Sequence, residues 1–256
     1  MKHLLTLIVL GASPALAQHY LVAGGGFSVM QFHSQELDRF QSTYNAVNAG
    51  SGQSVFLEGF DLGIGLNGEL GLRHFGKWSK AITIGYQEHK ATDFAAFLNG
   101  ASRNLELKIR HFYVQPAFGF AVKKVFVEGF AALFLNRKLK LDSQLKGETN
   151  ANPLTGIYRS EVTATADLGL ALGIRSGPII LITKFSHPIH KSGGSDLLND
   201  PAPAKVADGL SAFPDDYDKY VAREPYQGVA SDIDGLKVAF TLNYAFPLSS
   251  QRKPRD

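Results

Sequence analysis

The sequence has 256 residues, enough for one large β domain, and its formal net charge of +3 comes from acidic and basic residues mixed along the chain. This balance gives no electrostatic reason to expect a nucleic-acid partner. The sequence contains no cysteine, which excludes disulfides, thiolate catalysis and cysteine-ligated metals.

The N-terminus has the three parts of a secretory signal peptide. A basic start at 1–3 is followed by an apolar run at 4–11 and by an Ala-x-Ala cleavage pattern at 15–17. We therefore predict a signal peptide over 1–17 and a mature chain that begins at Gln18. No later stretch has the roughly 20 apolar residues that a membrane-spanning helix needs. If the exported chain enters a membrane, it does so through strands.

Alternating polarity marks the predicted strands. In the last of them, every second residue from Leu236 to Phe246 is apolar, and the residues between are small or polar. A period of two held over this length indicates a β-strand. Around Pro116 the alternation is lost, which predicts a bulge or an edge irregularity. The predicted strands are 19–32, 54–73, 80–89, 104–120, 125–141, 157–174, 179–189 and 230–246.

The connections between these strands alternate in length. The short ones are 75–79, 123–124 and 175–178, and the long ones are 34–53, 92–103, 142–156 and 191–229. Short periplasmic turns and longer extracellular loops are typical of an up-and-down transmembrane β-barrel. We therefore predict an all-β, antiparallel, transmembrane barrel of about eight strands over 18–248, followed by a short periplasmic tail at 249–256.

The polar phase of the strands indicates which face meets lipid. It is rich in small residues such as Gly63, Thr163 and Gly173, which fit the narrow interior of an eight-stranded barrel. The apolar phase then faces the membrane. The alternative is a soluble periplasmic barrel of the lipocalin kind, in which the apolar side chains point inward.

Charged residues of both signs remain in the polar phase, and buried charges must pair or keep water. We predict that they form a network inside the barrel, in which Lys237 pairs with Asp61 or Glu69. The predicted members are Asp61, Glu69, Glu106, Lys108, Arg110, Glu128, Lys138, Glu161, Asp167, Lys184 and Lys237. A lumen filled in this way conducts poorly, so an open porin is not expected.

In this pattern the chain resembles the small outer-membrane barrels of the outer membrane protein A, X and W superfamily. The resemblance covers 18–246 and rests on the signal peptide, the alternating strands and a last strand that ends in Tyr244-Ala245-Phe246. It implies location in the outer membrane of a Gram-negative bacterium, with outer-membrane lipid and the barrel-assembly machinery as partners. In that family a terminal aromatic residue looks like part of the assembly signal, whereas here the tail 247–256 follows it.

Two residues are candidates for catalysis. His190 and Ser192 form a His-x-Ser pattern at the predicted extracellular end of the seventh strand, similar to the pair in lipid A deacylase barrels. A serine nucleophile needs a base within hydrogen-bond reach and an acid that orients the base, and no recognisable acidic motif follows. Two rim histidines and a loop serine are the simpler interpretation. His187 and His190 fall on opposite faces of a strand, so no metal site is predicted, and no cofactor is implied.

The segment 191–229 is the longest predicted loop, and it carries Tyr217, Tyr220 and Tyr226 among acidic residues. A loop of this length is usually functional or disordered. Exposed tyrosines beside polar residues suit the binding of an extracellular protein or a glycan. The sequence thus favours a non-enzymatic outer-membrane protein with a structural or surface-interaction role. The alternative is a lipid A-modifying enzyme or a small-molecule binder that uses the rim near His190.

Overall fold

A computed structural model of the chain describes residues 18–32, 35–147, 156–190, 197–198, 229–230 and 235–248. The predicted signal peptide at 1–17, the tail at 249–256 and most of the predicted loop 191–229 lie outside the described residues.

The described residues are mostly strand. The strands in chain order are β1 (Gln18–Gln31), β2 (Gln53–Val55), β3 (Leu62–Phe75), β4 (Trp78–Phe97), β5 (Ser102–Val122), β6 (Val125–Lys146), β7 (Gly156–Ser176), β8 (Ile179–His190), β9 (Leu197–Leu198), β10 (Val229–Ala230) and β11 (Lys237–Pro247). Helix α1 spans Gln35–Asn48 and continues into a 3₁₀ turn at Ala49–Ser51.

Eight of these strands close into a ring of antiparallel hydrogen bonding. The order around the ring is β1-β3-β4-β5-β6-β7-β8-β11, and β11 pairs again with β1. Strand β2 adds a short pairing to β4, and β9 pairs with β10 separately. Because every strand of the ring has a partner on both sides, the ring leaves no open sheet edge. The prediction of an all-β antiparallel architecture with eight principal strands is confirmed.

The two ends of the ring differ in their connections. Tight connections at 76–77, 123–124 and 177–178 lie at one end, which we call the turn end. The longer connections lie at the opposite end, which we call the loop end. At the turn end Gly177 has a φ of 61° and Lys123 a φ of 57°, the left-handed conformation that tight hairpin connections often use.

Near the turn end, the outer face of the ring is apolar, and the inner face combines small and polar residues with a buried apolar cluster that includes Phe126. On β11, Leu242 is 58% exposed, whereas Thr241 and Asn243 are buried inside. The small inward residues make room for aromatic rings in the interior, since a Cβ on Gly173 would lie 1.9 Å from the ring of Phe126. The arrangement on β11 matches the alternation predicted for the last strand.

Toward the loop end the arrangement is reversed, with apolar side chains inside the ring and charged side chains outside. On β5, Leu105, Leu107 and Ile109 are fully buried inside the ring, whereas Glu106 and Lys108 lie on its outside. The expectation that the charged residues of this segment face inward is therefore wrong. A period of two separates the two faces of a strand, but it does not say which solvent each face meets.

A register shift accompanies the reversal. The β5–β6 pairing slips between Arg110 and Phe112. On β6 the buried side chains occupy even-numbered positions up to Phe134 and odd-numbered positions from Arg137 onward. An extra residue at a bulge turns the following side chains to the opposite face. At Pro116 the predicted bulge is absent, because Pro116 keeps its register with β4, but the pairing of β5 with β6 omits Gln115 and Pro116 and is irregular there as predicted.

Two segments predicted as loops contain regular structure instead. Segment 34–53 contains α1, and most of 92–103 is strand because β4 runs to Phe97 and β5 begins at Ser102. The sequence of this segment carries a helix signal that the loop prediction overlooks, because Leu37, Phe40, Tyr44 and Val47 recur at helical spacing. Among the described side chains of the helix, Tyr44 and Asn48 are buried. No helix in the described part of the chain is long and apolar enough to cross a membrane.

Helix α1 and the segment after it fill the loop end of the ring. Tyr44 is fully buried, and its hydroxyl accepts a hydrogen bond of 3.1 Å from Nε of Arg103 on β5. The Asn45 side chain bonds both to the Leu57 carbonyl, at 2.9 Å, and to the Leu57 amide, at 3.0 Å. The carboxylate of Asp93 on β4 accepts hydrogen bonds from the backbone amides of Glu58 and Gly59, which follow Leu57 in the chain. The chain therefore covers this end with its own residues.

Candidate functional site

The first of three interior charge clusters is centred on Glu69, and four strands contribute to it. Its carboxylate accepts hydrogen bonds from Lys184 Nζ at 2.5 Å, from Asn243 Nδ2 at 2.8 Å and from the Tyr113 hydroxyl at 3.1 Å. The side chains of Glu69 and Lys184 are only 4% and 8% exposed. A buried carboxylate held by one cation and two neutral donors is a satisfied structural pair.

The second cluster joins β7, β8 and β11. Lys237 Nζ lies 2.8 Å from Asp167 Oδ2, and Ser186 Oγ donates to the same oxygen at 3.1 Å. The ammonium also lies 4.3 Å from the ring centroid of Phe134. The partner of Lys237 is thus Asp167, and the predicted pairing with Asp61 or Glu69 is wrong. Alternation places side chains on a face, but it does not give the stagger between strands that decides which ones meet.

The third cluster closes the turn end. Glu128 accepts from Arg73 Nη1 and from Ser79 Oγ, both at 2.5 Å, and the Arg73 guanidinium lies 4.7 Å from the ring of Phe126. The Phe126 ring in turn packs edge-on against Phe75, with centroids 5.4 Å apart. Stacked rings and guanidinium groups therefore cover this end of the interior.

A fourth interior group consists of polar but uncharged partners. Ser28 Oγ lies 2.9 Å from His89 Nε2, and Gln87 connects Ser28 to His111 through bonds of 3.0 and 3.1 Å. A serine beside a histidine is half of a nucleophilic site. The other half is missing, because within the described residues Nδ1 of both histidines is buried without a hydrogen-bond partner. We interpret this group as packing inside the ring.

Little space remains between these clusters. One interior cavity is lined by Lys184 of the first cluster and by Lys237 of the second. Its volume is about 30 Å³. A volume of this size holds one or two water molecules at most, by the space that a water needs. The middle of the ring is therefore filled with side chains.

The structure divides the predicted charge network into inner and outer members. Those inside the ring are Glu69, Glu128, Asp167, Lys184 and Lys237. Those on the outside or exposed are Asp61, Glu106, Lys108, Arg110 and Lys138, so their predicted inward orientation is wrong. The backbone of Glu161 pairs with Lys138 between β7 and β6, and its side chain lies outside the described set. Interior members that the sequence pattern did not single out include Arg73, Arg103, Tyr113 and Asn243.

The outer charges pair with one another above the apolar face. Lys90 Nζ lies 2.7 Å from Glu106, and Lys108 lies 3.5 Å from Glu106 and 3.6 Å from Glu88. The hydrogen bond from Lys90 holds the pKa of Glu106 below its usual value. Alternating charges of this kind suit a strand surface in water, where exposed ion pairs contribute little to stability.

A cleft of about 650 Å³ lies on this outer surface near the loop end. The segment after β2 supplies Phe56 and Glu58 to one wall, and β4 and β5 supply Phe94 and Asn104 to the other. Phe56 and Phe94 are 46% and 44% exposed. Aromatic rings beside amide and carboxylate groups form a surface on which a polar ligand can stack and hydrogen-bond.

The remaining sequence-based candidates stay predictions. His190 ends β8 opposite Ala166, and its side chain is outside the described set, as are Ser192 and all of Tyr217, Tyr220 and Tyr226. His187 is exposed on the outer face. Among the described residues, no group of three or more His, Asp or Glu side chains could hold a metal ion.

Comparisons with known proteins add little beyond this geometry. No protein-family model matches the sequence, and no curated protein matches it. Among solved structures, the chain is similar to the outer membrane protease OmpT from Escherichia coli, with 11% identity and a TM-score of 0.37 over 90% of this chain and 96% of that chain. This degree of likeness does not establish a family.

Proposed function

We propose that this chain is an integral β-barrel protein of the Gram-negative outer membrane, with a filled lumen, whose role is structural or lies in binding at the cell surface. The observation that carries the proposal is the apolar outer face, to which every strand of the ring contributes. One exposed residue from each strand, in ring order, is Phe27, Leu66, Ile84, Phe118, Leu133, Leu170, Leu181 and Leu242.

The extent of this apolar face supports a membrane location. Exposed apolar side chains run from Leu236, just before β11, to Phe246, and those on β8 run from Ile179 to Ile189. These spans correspond to the roughly 9–11 residues with which a tilted strand crosses a bilayer. A monomer in water rarely exposes a continuous apolar surface of this kind. The soluble lipocalin-like alternative requires the opposite arrangement near the turn end.

The interior supports a closed barrel rather than a pore. The charge clusters and the histidine group occupy the middle of the ring, helix α1 covers its loop end, and the cavity lined by Lys184 and Lys237 is about 30 Å³. An eight-stranded lumen is just wide enough for side chains. Transport of solutes through the interior is therefore not part of the proposal.

The loop end supports a role at the cell surface. Beyond the apolar face, β4 to β6 continue with charged outer residues, as expected for strands that project into water. The 650 Å³ cleft and the predicted tyrosines of 191–229 are the surfaces that we propose for an extracellular protein or glycan. Insertion through the barrel-assembly machinery, after removal of the signal peptide 1–17, belongs to the same proposal.

Fractionation and gel mobility test this proposal together. Expressed with its signal peptide, the protein should be recovered from outer membranes only with detergent, and the unboiled form should migrate differently from the boiled form. A matched pair of arginine variants sharpens the test: Leu242→Arg lies in the apolar face, and Asn104→Arg lies on the outer face near the loop end. Arginine at the middle of a lipid-facing strand costs about 2–4 kcal/mol, so only the first variant should reduce insertion. Recovery of the wild type in the soluble fraction would refute the proposal.

A further inference from the structure

The connections at the turn end form a pocket of about 340 Å³, which borders the third charge cluster at Phe75 and Phe126. Its rim carries Lys77 from the β3–β4 turn, Lys123 and Lys124 from the β5–β6 turn, and Arg175 from the end of β7. Its lining contains no acidic residue. We call this feature the turn-end pocket.

The turn-end pocket is held in place by backbone hydrogen bonds between hairpins. The amide of Ala121 donates to the carbonyl of Lys77 at 3.2 Å, and the amide of Arg175 donates to the carbonyl of Lys124 at 2.7 Å. Lysines from different turns are therefore fixed relative to one another, because their backbones belong to one hydrogen-bonded rim.

The guanidinium of Arg175 is oriented before any ligand arrives. Its Nε donates to the carbonyl of Gly177 at 3.1 Å, and its Nη2 donates to the Tyr20 hydroxyl. The group also lies 4.9 Å from the ring centroid of Phe75. A planar guanidinium fixed over aromatic rings is a good donor to phosphate, because little rotamer freedom remains to be lost.

The three lysines lack the partners that would neutralise them. Within the described residues Lys77, Lys123 and Lys124 form no ion pair, and Glu128, the acid of the third charge cluster, is bound by Arg73 and Ser79. Three ammonium groups around one pocket repel each other unless an anion lies between them. The arrangement is complementary to a group with negative charge on several oxygens.

Lys123 adds a second, independent observation. Its φ of 57° makes it the one non-glycine residue with positive φ among the described residues. The left-handed conformation is strained for a residue that carries a β-carbon, and glycine avoids this strain. The other positive-φ positions in the described part are glycines, including Gly177 in the neighbouring turn. We take this strained lysine, in a turn where glycine would fit without strain, as support for a role of its charge.

The turn-end pocket also borders the apolar outer face. Val125, which lines it, is 49% exposed, and Trp78, next to Lys77, is 50% exposed and stacks on Phe118 with centroids 5.4 Å apart. Aromatic residues of this kind mark the boundary between hydrocarbon and headgroups in barrels. A phospholipid could place its phosphate among the lysines and its acyl chains along the apolar face.

We propose that the turn-end pocket binds the headgroup phosphate of an anionic phospholipid in the periplasmic leaflet, an inference that rests on the proposed membrane location. Clustered basic residues at a membrane surface attract anionic lipids, each contributing about a fivefold gain in binding. The site would fix the depth of the barrel at its turn end and would be independent of any activity at the loop end.

The test uses the purified full-length mature protein in dodecyl maltoside, a detergent without phosphate. Dihexanoyl phosphatidylglycerol, dihexanoyl phosphatidylcholine and inorganic phosphate are titrated separately, and binding is followed by native mass spectrometry and by fluorescence. Trp78 is the sole tryptophan of the sequence and lies beside Lys77, so its emission reports on this end. We expect saturable binding of phosphatidylglycerol that weakens as salt is raised, with much weaker binding of the other two ligands.

Matched variants separate the site from general charge effects. Lys77→Gln and Lys124→Gln should each weaken phosphatidylglycerol binding roughly fivefold. Lys146→Gln removes the same charge from an exposed position at the loop end and should leave binding unchanged. Lys123→Gly should weaken binding while raising the thermal midpoint, since it removes the charge and relieves the backbone. A merely structural lysine would not give this combination.

Three outcomes would overturn the proposal. In the first, inorganic phosphate binds as tightly as phosphatidylglycerol, which would make the pocket a site for a soluble anion. In the second, Lys77→Gln and Lys146→Gln change phosphatidylglycerol binding equally. In the third, phosphatidylglycerol does not bind saturably. The heat-dependent gel shift, measured on the same samples, reports barrel formation separately. A chain that inserts but does not bind phosphatidylglycerol refutes this inference alone, whereas a chain that is soluble without detergent refutes the proposed function.

Discussion

The pair of Lys184 and Glu69 offers the sharpest stability prediction, because both side chains are buried inside the ring and the other partners of the carboxylate are known. We expect Lys184→Met to destabilise the protein strongly. The change leaves the Glu69 carboxylate, only 4% exposed, without its cation at 2.5 Å. Removing one partner of a buried ion pair typically costs about 3–5 kcal/mol.

Two neutral hydrogen-bond donors to Glu69 limit the loss of stability that Lys184→Met is expected to cause. Asn243 and Tyr113 still donate to Glu69 at 2.8 and 3.1 Å after the substitution. Because these bonds keep part of the carboxylate's solvation, we expect a loss of about 3 kcal/mol, the lower end of the range. The double variant Glu69→Gln/Lys184→Met removes both charges and should be more stable than Lys184→Met alone.

The measurement is equilibrium unfolding in urea of the protein refolded into detergent micelles, followed by the gel shift and by fluorescence. Lys140→Met is the matched control, because Lys140 forms a pair of 2.8 Å with Asp142 on the outer face, where both side chains are partly exposed. Its cost should be about 1 kcal/mol or less. If Lys184→Met is no more destabilising than Lys140→Met, or if the double variant is the least stable, the description of the interior as a paired network is refuted.

Two further predictions concern the loop end. The pKa of Glu106 is lowered by Lys90, so the contribution of this pair to stability is present above the unfolded pKa of the glutamate and is lost as the pH falls through its folded value. In Lys90→Gln the pKa of Glu106, followed by NMR titration, should rise toward its ordinary value; an unchanged pKa would contradict the pairing. Asp93→Ala removes the acceptor for the amides of Glu58 and Gly59, so hydrogen exchange at these two amides should accelerate while the ring strands stay protected. Equal protection in wild type and variant would show that Asp93 does not anchor this segment.

The sequence predicts the fold near the turn end well because local alternation and tertiary environment agree there. On β11 the apolar phase meets the outside over the whole strand, and Lys237 points inward as the pattern requires. The partner of Lys237 is not predictable in the same way. Asp167 meets it because of the stagger between β7, β8 and β11, and stagger is a property of the closed ring rather than of one strand.

Predictions fail toward the loop end for a different reason. Leu105 and Glu106 continue the alternation of β5 without a break. The outer residues of the strand, however, are apolar near the turn end and charged near the loop end. The pattern has the same period on both sides of that boundary, so it cannot show the inversion. Helix α1 was predictable in part, because Leu37, Phe40, Tyr44 and Val47 recur at helical spacing, but the polar residues of the segment and Gly50-Ser51-Gly52 favour a loop.

The most direct test of the central claim is to measure whether lipid or water contacts the outer face of the ring, both on the apolar face and near the loop end. The chain has no native cysteine, so single cysteines can carry a spin label without other changes. Leu170→Cys reports on the apolar outer face, and Asn104→Cys reports on the outer face near the loop end. In liposomes, the label at 170 should be relaxed mainly by oxygen and the label at 104 mainly by a water-soluble nickel chelate. Equal access of the nickel chelate to both labels would contradict the proposed membrane barrel.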